Sequence, residues 1–429
     1  MWFWMKHFVF VLSCMPLVLQ LVNRIEGIYT NNSLSKQYTQ RSEDVLHSYD
    51  ALRSSMIVQS LLPKLSSNTY EKDVLANHLH KGNISGEAQP PRENATIVML
   101  VRNQELEGAL NSMRSLEDHF NHEYHYDYTF LNDVPFTEEF KRSTTAMASG
   151  KTQYGLIPEA DWNRPQWIDE DKFARCIKKM VDEDVMYGES TSYRNMCRFN
   201  SGFFFRQKLL DSYDYYLRIE PDVAYYCDFP YDPFRVLRQR NAKYGFVISL
   251  YEYENTIPTL WKAVEEFIAA DHGTSVHNDV NSYKFLTDKS NIGKYPPVVP
   301  STTNYNLCHF WSNFEVGDLN FFRSAEYLRY FNHLDEKGGF HYERWGDAPV
   351  HSIGASLLLK REEIVHFDQI SYYHPPFMTC PTAHDARLDQ RCICNATSQF
   401  NIDVTPNSCL MRWWKNGSGK YFIREDREM

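Results

Sequence analysis

Hydrophobic and polar positions divide the chain into three stretches. Phe8 to Val22 is a mostly apolar run broken by Ser13, Pro16 and Gln20, with Trp2, Phe3 and Trp4 ahead of it. A helix from Trp2 to Val22 would reach about 30 Å at about 1.5 Å per residue, enough to cross a bilayer if Lys6 and His7 snorkel. Leu21-Val22-Asn23-Arg24 offers no small-x-small cleavage pattern, so residues 1 to 24 read as a short tail and signal-anchor rather than a removed leader. From 25 to 90 the chain is polar, rich in Ser, Asn, Gln and Glu, and reads as a stem. The globular part, residues 91 to 429, opens at Ala95 to Val101, an unbroken apolar run of strand length.

From there strand and helix patterns alternate. Arg102-Asn103-Gln104-Glu105 leads into a helix with Leu106, Leu110, Met113 and Leu116 on one face. Tyr128 to Leu131 predicts a second strand, Asn132-Asp133 a turn, and Thr137 an N-cap before Glu138 and Glu139. Further strands are expected at Tyr154 to Pro158, Leu217 to Ile219 and Phe246 to Leu250, with helices over Asp171 to Asp184 and Pro233 to Gln239. This alternation predicts an α/β fold, an open and largely parallel sheet with helices on both faces. No glycine-rich phosphate loop is present, which counts against a P-loop or dinucleotide-fingerprint enzyme.

Composition narrows the class. The net charge is -10 and no basic tract occurs, so nucleic acid is not an expected partner. Aromatics make up 15% of the chain and crowd the region after residue 190; beyond core packing, they suit a rigid concave site for flat-faced ligands such as sugars and bases. Asn31, Asn83, Asn94, Asn395 and Asn416 each begin an Asn-x-Ser/Thr triplet, which favours a lumenal body. Cys14 lies in the anchor, and Cys380, Cys392, Cys394 and Cys409 cluster near the end. An oxidising compartment fits that clustering better than zinc, because Cys392-Ile393-Cys394 lacks the usual two-residue gap. Pairing cannot be read from spacing.

Four segments carry candidate chemistry. Tyr215-Tyr216-Leu217-Arg218-Ile219-Glu220-Pro221-Asp222 ends an apolar strand in two carboxylates around a proline. Strand alternation would aim Glu220 and Asp222 at one ion or one substrate group, although acids at strand ends are commonly just solvated. Asn304 to Asp318 sets Trp311, Asn313 and Glu315 among aromatics, where a carboxylate would be partly dry. Tyr342 to His351 gathers Glu343, Arg344, Trp345, Asp347 and His351, a set suited to polyol binding or to ion pairing. Ser371-Tyr372-Tyr373-His374-Pro375-Pro376 offers an imidazole on a constrained segment.

Together with Tyr193-Arg194, Arg198 to Phe204 and Thr256 to Trp261, these segments resemble the fungal Golgi α-1,2-mannosyltransferases, glycosyltransferase family 15, over about residues 91 to 415. The resemblance implies a GT-A-type fold, a Rossmann-like mixed sheet that takes mannose from GDP-mannose with Mn²⁺ and retains the α configuration. The acceptor would be a mannosyl glycan on protein, N- or O-linked. In this family Glu-Pro-Asp replaces the usual Asp-x-Asp, so Glu220 and His374 would hold the metal and Glu315 would be the catalytic carboxylate. Arg198 and Arg218 suit a diphosphate clamp or, equally, ion pairing within the fold. Tyr193, Arg194, Asp222, Trp311, Asn313, Trp345 and Asp347 would complete the substrate site, the two tryptophans by stacking on sugar faces, with core packing the alternative use of both. A single-pass type II protein of the Golgi membrane, in complexes with other Golgi mannosyltransferases, is the layout implied. Mannosylphosphate transfer and a non-catalytic glycan-binding or complex-assembly role are the alternatives.

Overall fold

The computed structural model describes residues 92–291 and 301–417. The expected anchor and stem, with the sequons at Asn31 and Asn83, lie outside the described residues. Among the described residues no helix is long and apolar enough to cross a membrane.

The strands are β1 Ala95–Leu100, β2 Asp127–Asn132, β3 Thr152–Leu156, β4 Tyr215–Arg218, β5 Tyr244–Phe246, β6 Ser249–Tyr251, β7 Cys308–Phe310, β8 Glu315–Asp318, β9 Ile364–His366, β10 Tyr372–His374 and β11 Phe377–Thr379. Seven form the central sheet in the spatial order β3-β2-β1-β4-β8-β5-β9. Six of them run parallel, and β8 alone is antiparallel, wedged between β4 and β5. Two apolar cores cover the two faces: Tyr216 belongs to one and its neighbour Leu217 to the other, as strand alternation requires. The β6–β7 and β10–β11 pairs are separate antiparallel ribbons.

The helices that matter for the site are α1 Leu106–Leu116, α2 Glu138–Met147, α3 Thr191–Gly202, α4 Ala325–Glu336 and α5 Asp347–Leu358. Thr137 caps α2 by accepting from the Phe140 amide, as expected. The other two expected helices appear as Glu170–Asp182 and Pro233–Arg240.

Three sequence expectations change. The buried face of α1 is Gly108, Ala109, Ser112, Met113 and Leu116, not the face through Leu106 and Leu110. Its small and polar positions dock the chain that leaves β4: the Val223 amide donates to Ser112 Oγ at 2.9 Å and the Tyr225 amide to Ser115 Oγ at 2.8 Å. The run Phe246 to Leu250 splits into β5 and β6, which belong to different sheets. The strand expected to run through Ile219 ends at Arg218, and that early end shapes the site.

Three disulfides join Cys227 to Cys392, Cys308 to Cys409 and Cys380 to Cys394. Two of them fasten the segment after β4 and the β10–β11 ribbon to the C-terminal loops. Cys176 and Cys197 are free thiols.

Candidate active site

Glu315 opens β8 directly opposite Arg218 of β4 and Phe246 of β5. Opposed side chains of an antiparallel pair share a face, so Arg218, and Tyr216 two residues earlier, project to the side of Glu315. Gly317 opposes both Tyr216 and Tyr244, and a Cβ there would stand 2.6 Å from Tyr216 Cε1. The bare glycine therefore lets both rings lie close over β8. Their hydroxyls donate to Glu315, Tyr216 to Oε1 at 2.8 Å and Tyr244 to Oε2 at 2.9 Å, and His351 Nδ1 lies 2.9 Å from Oε2. Glu315 is only 1% exposed. With Arg218, Asn200, Phe199, Phe204 and Tyr216 it lines a narrow cleft. The Asn200 amide nitrogen has no hydrogen-bond partner, which leaves a donor in that lining unused.

One turn of α5 serves both members of the Arg218–Glu315 pair. Asp347 and His351 are four residues apart and share a helix face. Asp347 accepts from Arg218 Nη1 at 2.5 Å and from Ser312 Oγ at 2.8 Å, while His351 takes Glu315. Burial alone would raise the Asp347 carboxyl, but the Arg218 charge outweighs it and holds the group below the ordinary range.

Arg218 Nη2 meets a second carboxylate, Glu220 Oε1, at 2.5 Å. Because β4 stops at Arg218, the chain then turns and Asp222 adopts a left-handed φ of 61°. The alternation expected to aim Glu220 and Asp222 at one ion does not hold. Asp222 bonds through its amide to the Gly108 carbonyl at 3.1 Å, and its carboxylate packs against Gly108 so closely that a Cβ there would lie 2.7 Å from Oδ2. Among the described residues no third His, Cys, Asp or Glu joins Glu220 and His374 in one cluster.

His374 does reach Glu220, with Nε2 3.7 Å from Oε2 and both side chains 27% exposed. Mutual backbone bonds between Ala224 and Tyr373 bring β10 to this position. The Trp311 ring stands edge-on to His374 with centroids 4.8 Å apart. His374 Nδ1 is 3.0 Å from the Pro375 carbonyl oxygen, which can only accept, so Nδ1 carries a hydrogen and Nε2 is the nitrogen turned to Glu220; burial works to lower this imidazole, and the Glu220 carboxylate outweighs it and raises it. Burial works to raise Glu220, and Arg218 and His374 together overcome it and hold the carboxyl at about 2. An ionised carboxylate and an imidazole nitrogen, too far apart for a hydrogen bond and open to solvent on one side, form a donor set that fits a divalent transition metal.

Other expected site residues lie elsewhere. Arg194 is fully buried and donates to the carbonyls of Glu343, Ser190 and Gly188, so it braces backbone rather than substrate. Arg198 makes a two-pronged pair with Asp335 of α4 at 2.7 and 2.8 Å, which removes it as a diphosphate clamp. Trp345 is buried, donates to Glu343 Oε2 at 2.6 Å, and lies so close beneath Gly339 that a Cβ there would meet Trp345 Cε2 at 2.0 Å. It has no face to offer a sugar. Tyr193 stacks on Tyr187 with centroids 4.7 Å apart, under Arg344. Asn313 is buried with Oδ1 unpartnered.

Tyr216, Tyr244, Asn200 and Ser312 were not selected from sequence. The signals available were the Tyr216-x-Arg218 alternation and the glycine two residues after Glu315.

A Rossmann-like sheet carrying a carboxylate–imidazole pair just past β4, beside a cleft walled by a second carboxylate, defines a GT-A-type glycosyltransferase. The particular family follows from direct similarity. Residues 52–418 match the family described as glycolipid 2-alpha-mannosyltransferase, and the chain belongs to it. It is 60% identical over 395 residues to the probable mannosyltransferase YUR1 of Saccharomyces cerevisiae, covering 92% of this chain and 91% of that protein. The alpha-1,2 mannosyltransferase KTR1 of the same yeast is 49% identical over 310 residues, 72% of this chain and 76% of that one. Among solved structures, core-mannan synthase A of Aspergillus fumigatus in its Mn/GDP form superposes with a TM-score of 0.70 at 39% identity, over 77% of this chain and 87% of that one. The mannosyltransferase Ktr4p of S. cerevisiae in complex with GDP gives 0.72 at 32% identity, over 86% and 99%.

Proposed function

We propose that the chain is a retaining α-1,2-mannosyltransferase that moves mannose from GDP-mannose to mannosyl acceptors on glycoprotein glycans, with Mn²⁺ at Glu220 and His374. The observation that carries this reading is the continuous chain His374–Glu220–Arg218–Asp347, with Glu315 directly across the strand from Arg218. A metal-and-diphosphate end and a carboxylate end thus share one rigid strand. A divalent cation held there supplies charge to offset what gathers on the departing diphosphate. The protein's own part is electrostatic and positional. Glu315, an anion held in a dry cleft, stabilises the positive charge that develops at the mannose anomeric carbon. Arg218, braced by two carboxylates, keeps Glu220 in register with Glu315. The Asn200 amide is free to donate to a sugar hydroxyl or phosphate oxygen.

Similarity to an alpha-1,2 mannosyltransferase and to related structures in GDP and Mn/GDP forms supports this over mannosylphosphate transfer, and the intact Glu315 network supports it over a non-catalytic role. The same reading takes residues 1 to 24 as a signal-anchor and the body as lumenal in the Golgi, supported by the three disulfides. The test uses the full chain with GDP-mannose, Mn²⁺ and a panel of mannosides. Metal-dependent GDP release with a product cleaved by an α-1,2-specific mannosidase is expected. No GDP release on any mannoside, or phosphate in the product, overturns it.

A further inference from the structure

His351 is wholly buried in α5, and its two ring nitrogens have different partners. Nε2 lies 3.0 Å from the Asn200 backbone oxygen. A carbonyl only accepts, so Nε2 bears a hydrogen. Nδ1 lies 2.9 Å from Glu315 Oε2. Were Nδ1 bare and Glu315 ionised, two lone pairs would face each other at hydrogen-bond distance, so a proton occupies that contact. Glu315 also accepts from Tyr216 and Tyr244, bonds that favour the ionised carboxylate, and Arg218 stands directly across the strand. These partners put the proton on nitrogen.

We propose that His351 is an imidazolium whose Nδ1–H locks Glu315 as an anion, making it a positioning residue for mannosyl transfer. The inference rests on Glu315 acting at the anomeric carbon, as read above. It also says which oxygen does so. Oε2 accepts two bonds and Oε1 one, so Oε1 keeps the freer lone pair and faces the sugar. The polar and charged groups around the pair are the Tyr216, Tyr244 and Tyr327 hydroxyls, Arg218, and Asp347 one turn earlier on α5; the rings of Phe204, Phe322 and Tyr327 close the rest. Replacing the ring removes the Nδ1 hydrogen from that contact, displaces Glu315 and lowers kcat. KM for GDP-mannose stays put, because His351 bonds only to Glu315 and the Asn200 backbone.

Two measurements on the full chain test this. With nitrogen-15 in its 16 histidines, the spectrum at pH 7.5 should contain one ring protonated at both nitrogens that vanishes in His351→Gln. That readout needs no turnover, so it stands apart from the mannosyl-transfer reading, which the wild-type assay decides. Tyr244→Phe, which leaves the His351 Nδ1–H as the one donor to Oε2, should lower kcat with KM within about twofold. If His351→Gln does not fold, the doubly protonated ring signal must instead shift in Tyr244→Phe. Absence of a doubly protonated ring that responds to either substitution, or a Tyr244→Phe kcat equal to the wild type, overturns the proposal.

Discussion

Replacing Glu315 by Gln removes a charge and little else. The amide oxygen can take the Oε2 place, where the hydrogens of Tyr244 and His351 arrive, and the NH₂ group can take the Oε1 place against Tyr216. The Tyr216 hydroxyl rotates to accept there, so the hydrogen-bond count survives and the melting temperature should move by only a few degrees. The rate should not survive. A unit charge about 4 Å from a developing cation is worth about 4 kcal/mol at an effective dielectric constant of about 20, and removal of one such group from an enzyme site typically costs roughly 10²–10³ in kcat. The assay is GDP release at saturating GDP-mannose and mannoside, alongside calorimetric titration of GDP with Mn²⁺. The expected result is a kcat lower by about 10²–10³ with a GDP dissociation constant within about threefold of wild type. A variant that turns over within about fivefold of wild type would reduce Glu315 to a structural acid, and a β-linked wild-type product would end the retaining assignment.

Glu220→Ala should abolish metal-dependent transfer while leaving the melting temperature near wild type, and His374→Ala should weaken metal dependence in the same direction; normal activity and metal affinity in Glu220→Ala would refute the metal pair. Gly317→Ala puts a methyl 2.6 Å from Tyr216 Cε1 and 3.1 Å from Phe322 Cε2, so it should destabilise by about 1–3 kcal/mol and cut kcat far more than KM; unchanged kcat would mean the Tyr216 bond to Glu315 is dispensable. Arg198→Ala strands Asp335 and should lower stability by about 3 kcal/mol with KM for GDP-mannose within about twofold, whereas a tenfold rise in KM at unchanged stability would restore the diphosphate clamp. Burial lifts the Asp232 carboxyl from 3.8 to about 6, even though Tyr126 donates to it. A carboxyl that binds its proton more tightly folded than unfolded contributes fully below about pH 4, and that contribution, roughly 3 kcal/mol at about 1.4 per unit, is lost as pH rises through about 6. Asp232→Asn should therefore gain stability over wild type at pH 7.5 and not at pH 4, and an equal difference at both values would refute the assignment.

Local signals carried the left half of the sheet. In β1 and β2 the apolar runs and the Thr137 cap agree, because each of these parallel strands is followed by its own helix and buries both faces, while β3 at the sheet edge is only partly buried. Glu315, Glu220 and His374, which the structure brings to one end of β4 and β8, each stand out in a short segment whose neighbours are unusual. The misplacements have a common cause. Arg194, Arg198 and Trp345 are residue types that bind ligands when exposed, and nothing local records that Asp335, more than 130 residues away, closes on Arg198, or that Gly339 lets Trp345 sink. Asp222 failed for a different reason. The alternation rule holds only while the chain is a strand, and the left-handed turn at Asp222 ends it.

The right half of the sheet follows from one topological event that no local pattern announces. Only four residues form β8, and it enters between β4 and β5 against the direction of every other strand. A parallel insertion would offset Glu315 from Arg218, since parallel ladders do not set residues squarely opposite with a shared pair of bonds. The antiparallel register instead sets Glu315 against Arg218, and Gly317 against both tyrosines at once. Helix α5 then answers the strand pair with its own spacing of four, Asp347 to Arg218 and His351 to Glu315. The same inversion that hides the site from sequence patterning thus fixes a buried carboxylate with three donors, because only this register lets Tyr216, Tyr244 and His351 reach two oxygens of one side chain.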